Sequence, residues 1–344
     1  MAKQVTMKDI ANALHISTVS VSKALSGKEG VSLEVRERIK ITAEEMGYRY
    51  NAGVRTDDYD KNYNVGILIA RRFLEDDTAF YSKLHSNIIM KLGNNNCFGI
   101  MEVIFKEDEE ACNLPAMIAN KKVDGILVIG QLKKAYIGML KDLHMPITFL
   151  DFYDENATVD SIVSDNVYGS NLLTNYLIKC GHKRIGFIGD IFATSSILDR
   201  YLGYYKSLLQ NGISMKEEWL LNDRDENGTL HAIAFPKQMP TAFVCNCDEV
   251  AYRVVEQLKS EGYRVPEDIS IVGFDDYIFA TLSNPPLTTF AVDLQLMTEM
   301  AVDSILRGIT GDNLSPGRKV ISGKLVIRDS VAKLSYEKNM DTGA

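Results

Sequence analysis

The chain has 344 residues, 46% of them hydrophobic and 24% charged. That profile belongs to a folded globular protein, and the length favours two or three domains. Its 38 basic and 46 acidic side chains leave a formal net charge of −8, which taken whole speaks against a nonspecific nucleic-acid coat or a polybasic membrane binder.

The charge is unevenly spread. Residues 1–56 hold nine Lys/Arg and six Asp/Glu, leaving 29 basic and 40 acidic side chains for the rest. A small basic head precedes a large acidic body. The N-terminal MAKQVTMKDI has no apolar core of signal-peptide length, and no run approaches the roughly 18 apolar residues of a membrane span. Cys97, Cys112, Cys180, Cys245 and Cys247 are scattered with no CxxC pair, so neither a disulfide framework nor a zinc site is expected. A reducing cytoplasm and no membrane association follow as expectations.

In chain order, the head reads as short helices. Thr6 is an N-cap candidate ahead of Met7, Ile10, Ala11 and Leu14 at helical spacing. A break at Leu14–His15–Ile16 leads to Ser17, a second cap, and to the apolar stripe Val21, Ala24 and Leu25. Ser32 caps a third helix carrying Val35, Ile39, Ala43 and Met46, which Gly47 stops. Helix, tight turn, helix, loop, helix is the layout of a helix-turn-helix module. Residues 49–62 are polar and aperiodic, a linker.

Strands and helices then alternate. Strands are expected at Val65–Ala70, Gly99–Phe105, Asp124–Ile129, Ile147–Leu150, Ile162–Val163, Ile185–Ile188, Ala242–Val244 and Ile269–Phe274, and two more at Lys319–Ile321 and Lys324–Ile327. Helices are expected at Ala79–Leu92, Lys133–Leu143, Val167–Cys180, Ser196–Gln210, Val250–Glu261 and Leu294–Arg307. Buried Ile/Val/Leu runs between helices mean parallel sheets covered on both faces. So many units predict two doubly wound lobes with a cleft rather than one small sheet. The fold class is therefore α/β: an all-α helix-turn-helix headpiece (1–48), a hinge (49–62), and a two-lobed body (63–344). The N-lobe is expected at about 63–161 and 291–321, and the C-lobe at about 162–290 and 322–335.

A recognition helix enters the major groove with small and polar side chains at its exposed N-terminal end. Ser17, Thr18, Val19, Ser20 and Ser22 fit that need, and Lys23 has the reach for a guanine edge or a phosphate. Positions 5–55 also carry T-x-K-D-I-A, then S-x-x-x-V-S-K-x-L-S-G, then V-S-x-x-x-R-x-R-I, then G-Y-R-x-N-A. In these blocks the head resembles the LacI/GalR (lactose-repressor type) family of bacterial transcriptional regulators. The resemblance implies base reading by Thr18, Val19 and Lys23, and backbone contacts by Ser20, Ser22 and Asn12. Thr6, Ser17 and the hinge residues Asn51, Val54 and Arg55 complete the implied DNA contacts.

The body resembles the same family's periplasmic-binding-protein-like effector domain. The matching blocks are VDGILVIG, VDSIVSDNVYGS, LIKCGHKRIGFIGD, RYLGYYKSLLQNGI and VPEDISIVGFDDYIFATLSNPPLTT. In open α/β sheets, ligands bind beyond the C-terminal strand ends, where Asp151, Arg200 and Asp275 fall. Sugar recognition needs charged groups that grip adjacent hydroxyls and an aromatic face against the ring. The resemblance places Asp151, Arg200 and Asp275 in effector-gripping positions, with Phe80 and Tyr81 at the start of the first body helix.

Three departures stand out. His15 occupies a turn position where relatives have Gly, and is expected at positive φ. The hinge reads Gly53-Val54-Arg55-Thr56-Asp57, with Asp57 where relatives place a wedging Leu. Gly53 costs a helix about 1 kcal/mol and the carboxylates repel phosphate, so a poorly ordered or non-intercalating hinge is expected, the other reading being that Val54 takes the wedge role. Cys245-Asn246-Cys247-Asp248 aligns Cys247 with a pocket Asn of the family. Cys is a weak hydrogen-bonder, so either Asn246 substitutes for it or the effector differs from the commoner sugars. Both cysteines are expected to be structural rather than redox-active, and Trp219 to be packing.

No GxxxxGK[ST], GxGxxG after the first strand, GxSxG or HExxH occurs. No catalytic residue, metal or cofactor is expected. The resemblance implies a sequence-specific regulator, a repressor by preference, with a homodimer or larger assembly on a pseudo-palindromic operator and a small-molecule effector, a sugar, between the lobes. A sugar-sensing activator and a co-repressor-dependent regulator stay open, and a sugar-binding protein or enzyme without a DNA role is the competing class.

Overall fold

The computed structural model describes residues 6–25, 30–46, 62–74, 79–312 and 315–334. The chain forms two compact units, Met1–Asn62 and Tyr63–Ala344.

In the first unit, helices span Met7–Leu14, Thr18–Leu25 and Leu33–Glu45. Thr6 and Asp9 form a reciprocal capping box: the Asp9 amide donates to the Thr6 hydroxyl (3.4 Å), and the Thr6 amide donates to the Asp9 carboxylate (2.8 Å). His15 ends the helix at φ +55°, as the turn requires. Ser17 starts the next helix by accepting the Ser20 amide at 3.0 Å, and Ser32 accepts the Val35 amide at 3.4 Å. Ile10, Ala11, Val21, Ala24, Ile39 and Ala43 are buried together as the core of the three helices. The linker, with Gly53, Val54 and Asp57, lies outside the described residues.

The described residues of the second unit contain twelve strands: β1 Asn64–Ala70, β2 Phe98–Ile104, β3 Gly125–Ile129, β4 Ile147–Leu150, β5 Asp160–Ser164, β6 Ile185–Ile188, β7 Leu220–Leu221, β8 Ala242–Cys245, β9 Ser270–Val272, β10 Thr289–Ala291, β11 Arg318–Ile321 and β12 Lys324–Val326. They build a parallel six-stranded sheet, β11-β5-β4-β3-β1-β2, and a parallel four-stranded sheet, β7-β6-β8-β9. Alternation on β1 and β3 feeds a core on each face. Ile67, Ile69, Leu127 and Ile129 join one, and Leu68, Ala70, Ile126 and Val128 join the other. The late helix Leu294–Thr310 covers the first sheet with Met297, Ala301, Val302 and Ile305. Trp219 is buried, and its indole N–H donates to the Gln238 carbonyl at 2.9 Å.

The lobe boundary and the pairing of the closing strand differ from the sequence expectations. The C-lobe was expected from residue 162, but β5 spans 160–164 and pairs with β4 and β11 in the first sheet. The strand itself was expected at Ile162–Val163, but its polar flanks Asp160, Ser161 and Ser164 read as loop and hid its full extent. The closing strand β12 belongs to an antiparallel pair with β10 that no local pattern announces. Among the described residues, no helix is long and apolar enough to cross a membrane.

Helices Asn166–Lys179 and Ser195–Gln210 cross at Gly203, where a Cβ would collide with the Val167 carbonyl oxygen and come within 2.9 Å of Ser170 Cβ. Backbone cannot yield as a flexible side chain does, so Gly203→Ala is expected to cost about 1–3 kcal/mol, read as a lower urea midpoint at unchanged slope. Gly93→Ala, where a Cβ meets nothing within 4 Å, is the control that leaves the midpoint unchanged or raises it.

Candidate functional site

The head presents one helix edge. On Thr18–Leu25, Val21 and Ala24 are buried while Thr18, Val19 and Lys23 face solvent, Val19 at 64% exposure. Ser20 and Ser22 are half-buried and Asn12 is exposed. Ser17 and Ser20 share a hydroxyl–hydroxyl bond of 2.9 Å, and Thr6 is bound to Asp9, so two of the expected DNA contacts, Thr6 and Ser17, also serve as helix caps. Asn51, Val54 and Arg55 lie outside the described residues.

In the body, a cavity of ≈130 Å³ opens at the C-terminal strand ends. All seven residues expected to contact an effector line it: Phe80, Tyr81, Asp151, Arg200, Asn246, Cys247 and Asp275. The first sheet's lobe supplies Tyr81, whose hydroxyl donates to Asp151 Oδ2 at 2.8 Å. Asp151 Oδ1 is buried with no hydrogen-bond partner among the described residues. The other lobe supplies Arg200, only 6% exposed. Its Nε donates to Asn166 Oδ1 (2.8 Å), Nη1 to the Asn246 carbonyl (2.6 Å) and Nη2 to Asp275 Oδ1 (3.2 Å). The guanidinium lies 3.9 Å from the centroid of the Phe274 ring. The lobes also touch directly, Ser195 N donating to Gln131 Oε1 at 2.7 Å and Lys106 Nζ to Asn227 Oδ1 at 2.7 Å.

Burial dominates the electrostatics. It pushes the Asp275 carboxyl up to about 7, helped by the Asp151 charge and opposed by Arg200. Asp151 is raised by burial against the pull of Arg200, and Asp248 well above the carboxylate range by burial and then by Asp275. Burial also pushes the Cys247 thiol up to about 12 and raises Cys245. Both sulfurs are therefore protonated near neutrality, unlike reactive thiolates.

Asn246 offers less than its position suggests. Both hydrogens of its amide are used within the protein, on Asp223 Oδ2 (2.7 Å) and the Ile188 carbonyl (3.1 Å). Sequence reasoning missed Arg224, which lines the cavity and forms a two-pronged bond to Asp223 at 2.9 and 2.7 Å. Burial alone would raise Asp223, but Arg224, the Asp190 amide and Asn246 together hold the carboxylate low. Arg72, Asp248, Tyr277 and Phe279 were also missed. Asp248 accepts from Thr289 Oγ1 (2.7 Å) and Tyr277 N (3.0 Å), which orders the loop behind Asp275.

The raised Asp275 carboxyl sets a pH dependence. Between its ordinary value of 3.8 and about 7 the folded protein keeps a proton that the unfolded chain has released. The unfolded state binds fewer protons there, so stability falls as pH rises through the window. Asp275→Asn removes the titrating group, and its melting temperature is expected to fall less than the wild type's between about pH 5 and pH 7. Parallel pH profiles would refute the assignment.

Residues 6–51 match the family described as bacterial regulatory proteins, lacI family, and residues 174–331 match a periplasmic binding protein-like domain. The ribose operon repressor of Haemophilus influenzae is 25% identical over 333 residues, covering 96% of this chain and 99% of its own length. The HTH-type transcriptional repressor PurR of Erwinia tasmaniensis is 28% identical over 343 residues, covering 96% and 98%. Among solved structures, a lac repressor dimer bound to operator and the anti-inducer ONPF superimposes with a TM-score of 0.73 at 22% identity, covering 96% of this chain and all of that one. With its helix-turn-helix head, its two parallel sheets and full-length likeness to such repressors, the chain belongs to the lacI family of bacterial regulatory proteins.

Proposed function

We propose that this chain is a DNA-binding transcriptional repressor whose operator affinity is switched by a small molecule, a sugar, held between the body's two lobes. The observation that carries this reading is a single chain with both parts. It has a capped helix exposing Thr18, Val19 and Lys23, and a cavity where Tyr81–Asp151 of one lobe meets Arg200–Asp275 of the other. The relatives, a ribose operon repressor among them, support the same class.

Thr18 and Val19 bring short side chains and methyl groups to base edges, and Lys23 brings a charge to a guanine or phosphate. Two subunits place two such helices on a pseudo-palindromic operator, in the cytoplasm where the operator lies. One short helix buries little surface, so the second supplies effective concentration. Effector in the cavity bonds to both lobes and shifts their closure, which alters the spacing of the two linkers and so of the heads. The coupling is reciprocal, on the order of 1–3 kcal/mol, and operator weakens effector binding by the factor that effector weakens operator binding.

Lys23→Ala is expected to lose about 1–3 kcal/mol of discrimination between an operator selected from random DNA and a scrambled duplex, measured by gel-shift competition. Unchanged competition would remove Lys23 from base reading. Arg200→Lys keeps the charge but not the three-way fork. Operator binding by this variant is expected to persist while its response to effector is lost. In the wild type, release by effector marks an inducer and tightening marks a co-repressor.

A further inference from the structure

The effector cavity continues outward. A second cavity of ≈730 Å³ adjoins it, and the two share Arg72, Phe73, Thr194, Arg224 and Gly228 in their walls. This outer space lies past the ends of β2, β6 and β7, so both lobes wall it. Two phenylalanines stand there, Phe105 at 44% and Phe192 at 90% exposure. The Phe192 loop is held in place: its amide donates to Asp190 Oδ1 (2.9 Å), and the Asp190 amide donates to Asp223 Oδ1 (2.9 Å). A large apolar ring held in water on a cleft wall marks a contact surface rather than packing.

The rest of the lining decides what that surface meets. Gln131, Asn227 and Thr229 provide amides and a hydroxyl. The cations are already engaged: Arg72 with Glu109, Lys106 with Asn227, Lys133 with Glu110, Lys134 with Glu155 and Arg224 with Asp223, while Arg71 lies over the Phe105 ring. At the inner end, a phosphate on Arg72 or Arg224 would have to break a pair with a buried carboxylate, whereas a neutral ring with hydroxyl edges and a C–H face would not. The inner cavity, at ≈130 Å³, is the size of one ring.

We propose that the outer cavity is a second effector subsite, which takes the second ring of a neutral disaccharide whose first ring lies against Arg200 and Asp275. This rests on the sugar reading of the inner cavity. Lys106–Asn227 and Gln131–Ser195 already join the lobes beside this space, so an outer ring that touches both walls adds to closure.

The test is calorimetric titration of the full chain with ribose, glucose, galactose and glucose 6-phosphate, and with cellobiose, maltose and lactose, repeated on Phe192→Ala. One disaccharide is expected to bind more tightly than its own monosaccharide. Phe192→Ala is expected to weaken that disaccharide roughly tenfold and leave the monosaccharide unchanged, with the same melting temperature as wild type. A monosaccharide or sugar phosphate that binds as tightly as every disaccharide overturns the subsite, as does an equal loss for both sizes in Phe192→Ala. These results leave the inner sugar site standing. Binding of no sugar of either size refutes the sugar reading itself and the subsite with it.

Discussion

Everything at the cleft depends on one buried cation. At 6% exposure Arg200 cannot rely on water, so its charge needs partners with good geometry. They come from three places: Asn166 at the start of one helix, the Asn246 carbonyl past β8, and Asp275 past β9, with Phe274 beneath the guanidinium. Satisfying one side chain therefore fixes three strand-end segments relative to one another. The backbone bends to allow it. Asp275 has φ +109° and, on the opposite lobe, Asp151 has φ +70°, both rare for residues with a Cβ.

Neither lobe makes a complete site. One offers Tyr81 and a carboxylate with a buried oxygen that has no partner among the described residues; the other offers a guanidinium already turned toward Asp275. Buried carboxylates accumulate around them, and burial raises Asp151, Asp248 and Asp275 together. A ligand with hydrogen-bond donors relieves that cost only when the lobes are together. On the proposed function, ligand binding and lobe closure are then one equilibrium, as a switch requires.

Most of the architecture was legible because it is periodic. Val65–Ala70 and Ile185–Ile188 are apolar runs, Ile147–Leu150 is interrupted only by Thr148, and all three are strands. What escaped was short or non-local. The helices Lys106–Ala111 and Ile278–Leu282 span at most two turns, too few for a stripe. The two-residue β7 and the turn after it carry no pattern, and Arg224 was missed with them. The seven expected cavity residues were found through the family blocks and the rule for strand ends; Arg72 follows β1, Asp248 follows Cys247 past β8 and Tyr277 lies inside a family block, but nothing in those signals singled them out.

By itself the sequence determined the three capped head helices, His15 at the turn, the alternation that makes two parallel sheets, and which residues stand at the strand ends. Those are local facts, set by side-chain periodicity and backbone preference within a few positions. Only the tertiary structure decided that Asp160–Ser164 pairs into the first sheet and that the Asn246 amide is used up inside the protein. It alone brought Arg224 to the cavity and placed Phe105 and Phe192 along one outer space. Each depends on contacts between segments far apart in the chain, where burial and hydrogen-bond satisfaction, not local propensity, choose the partner.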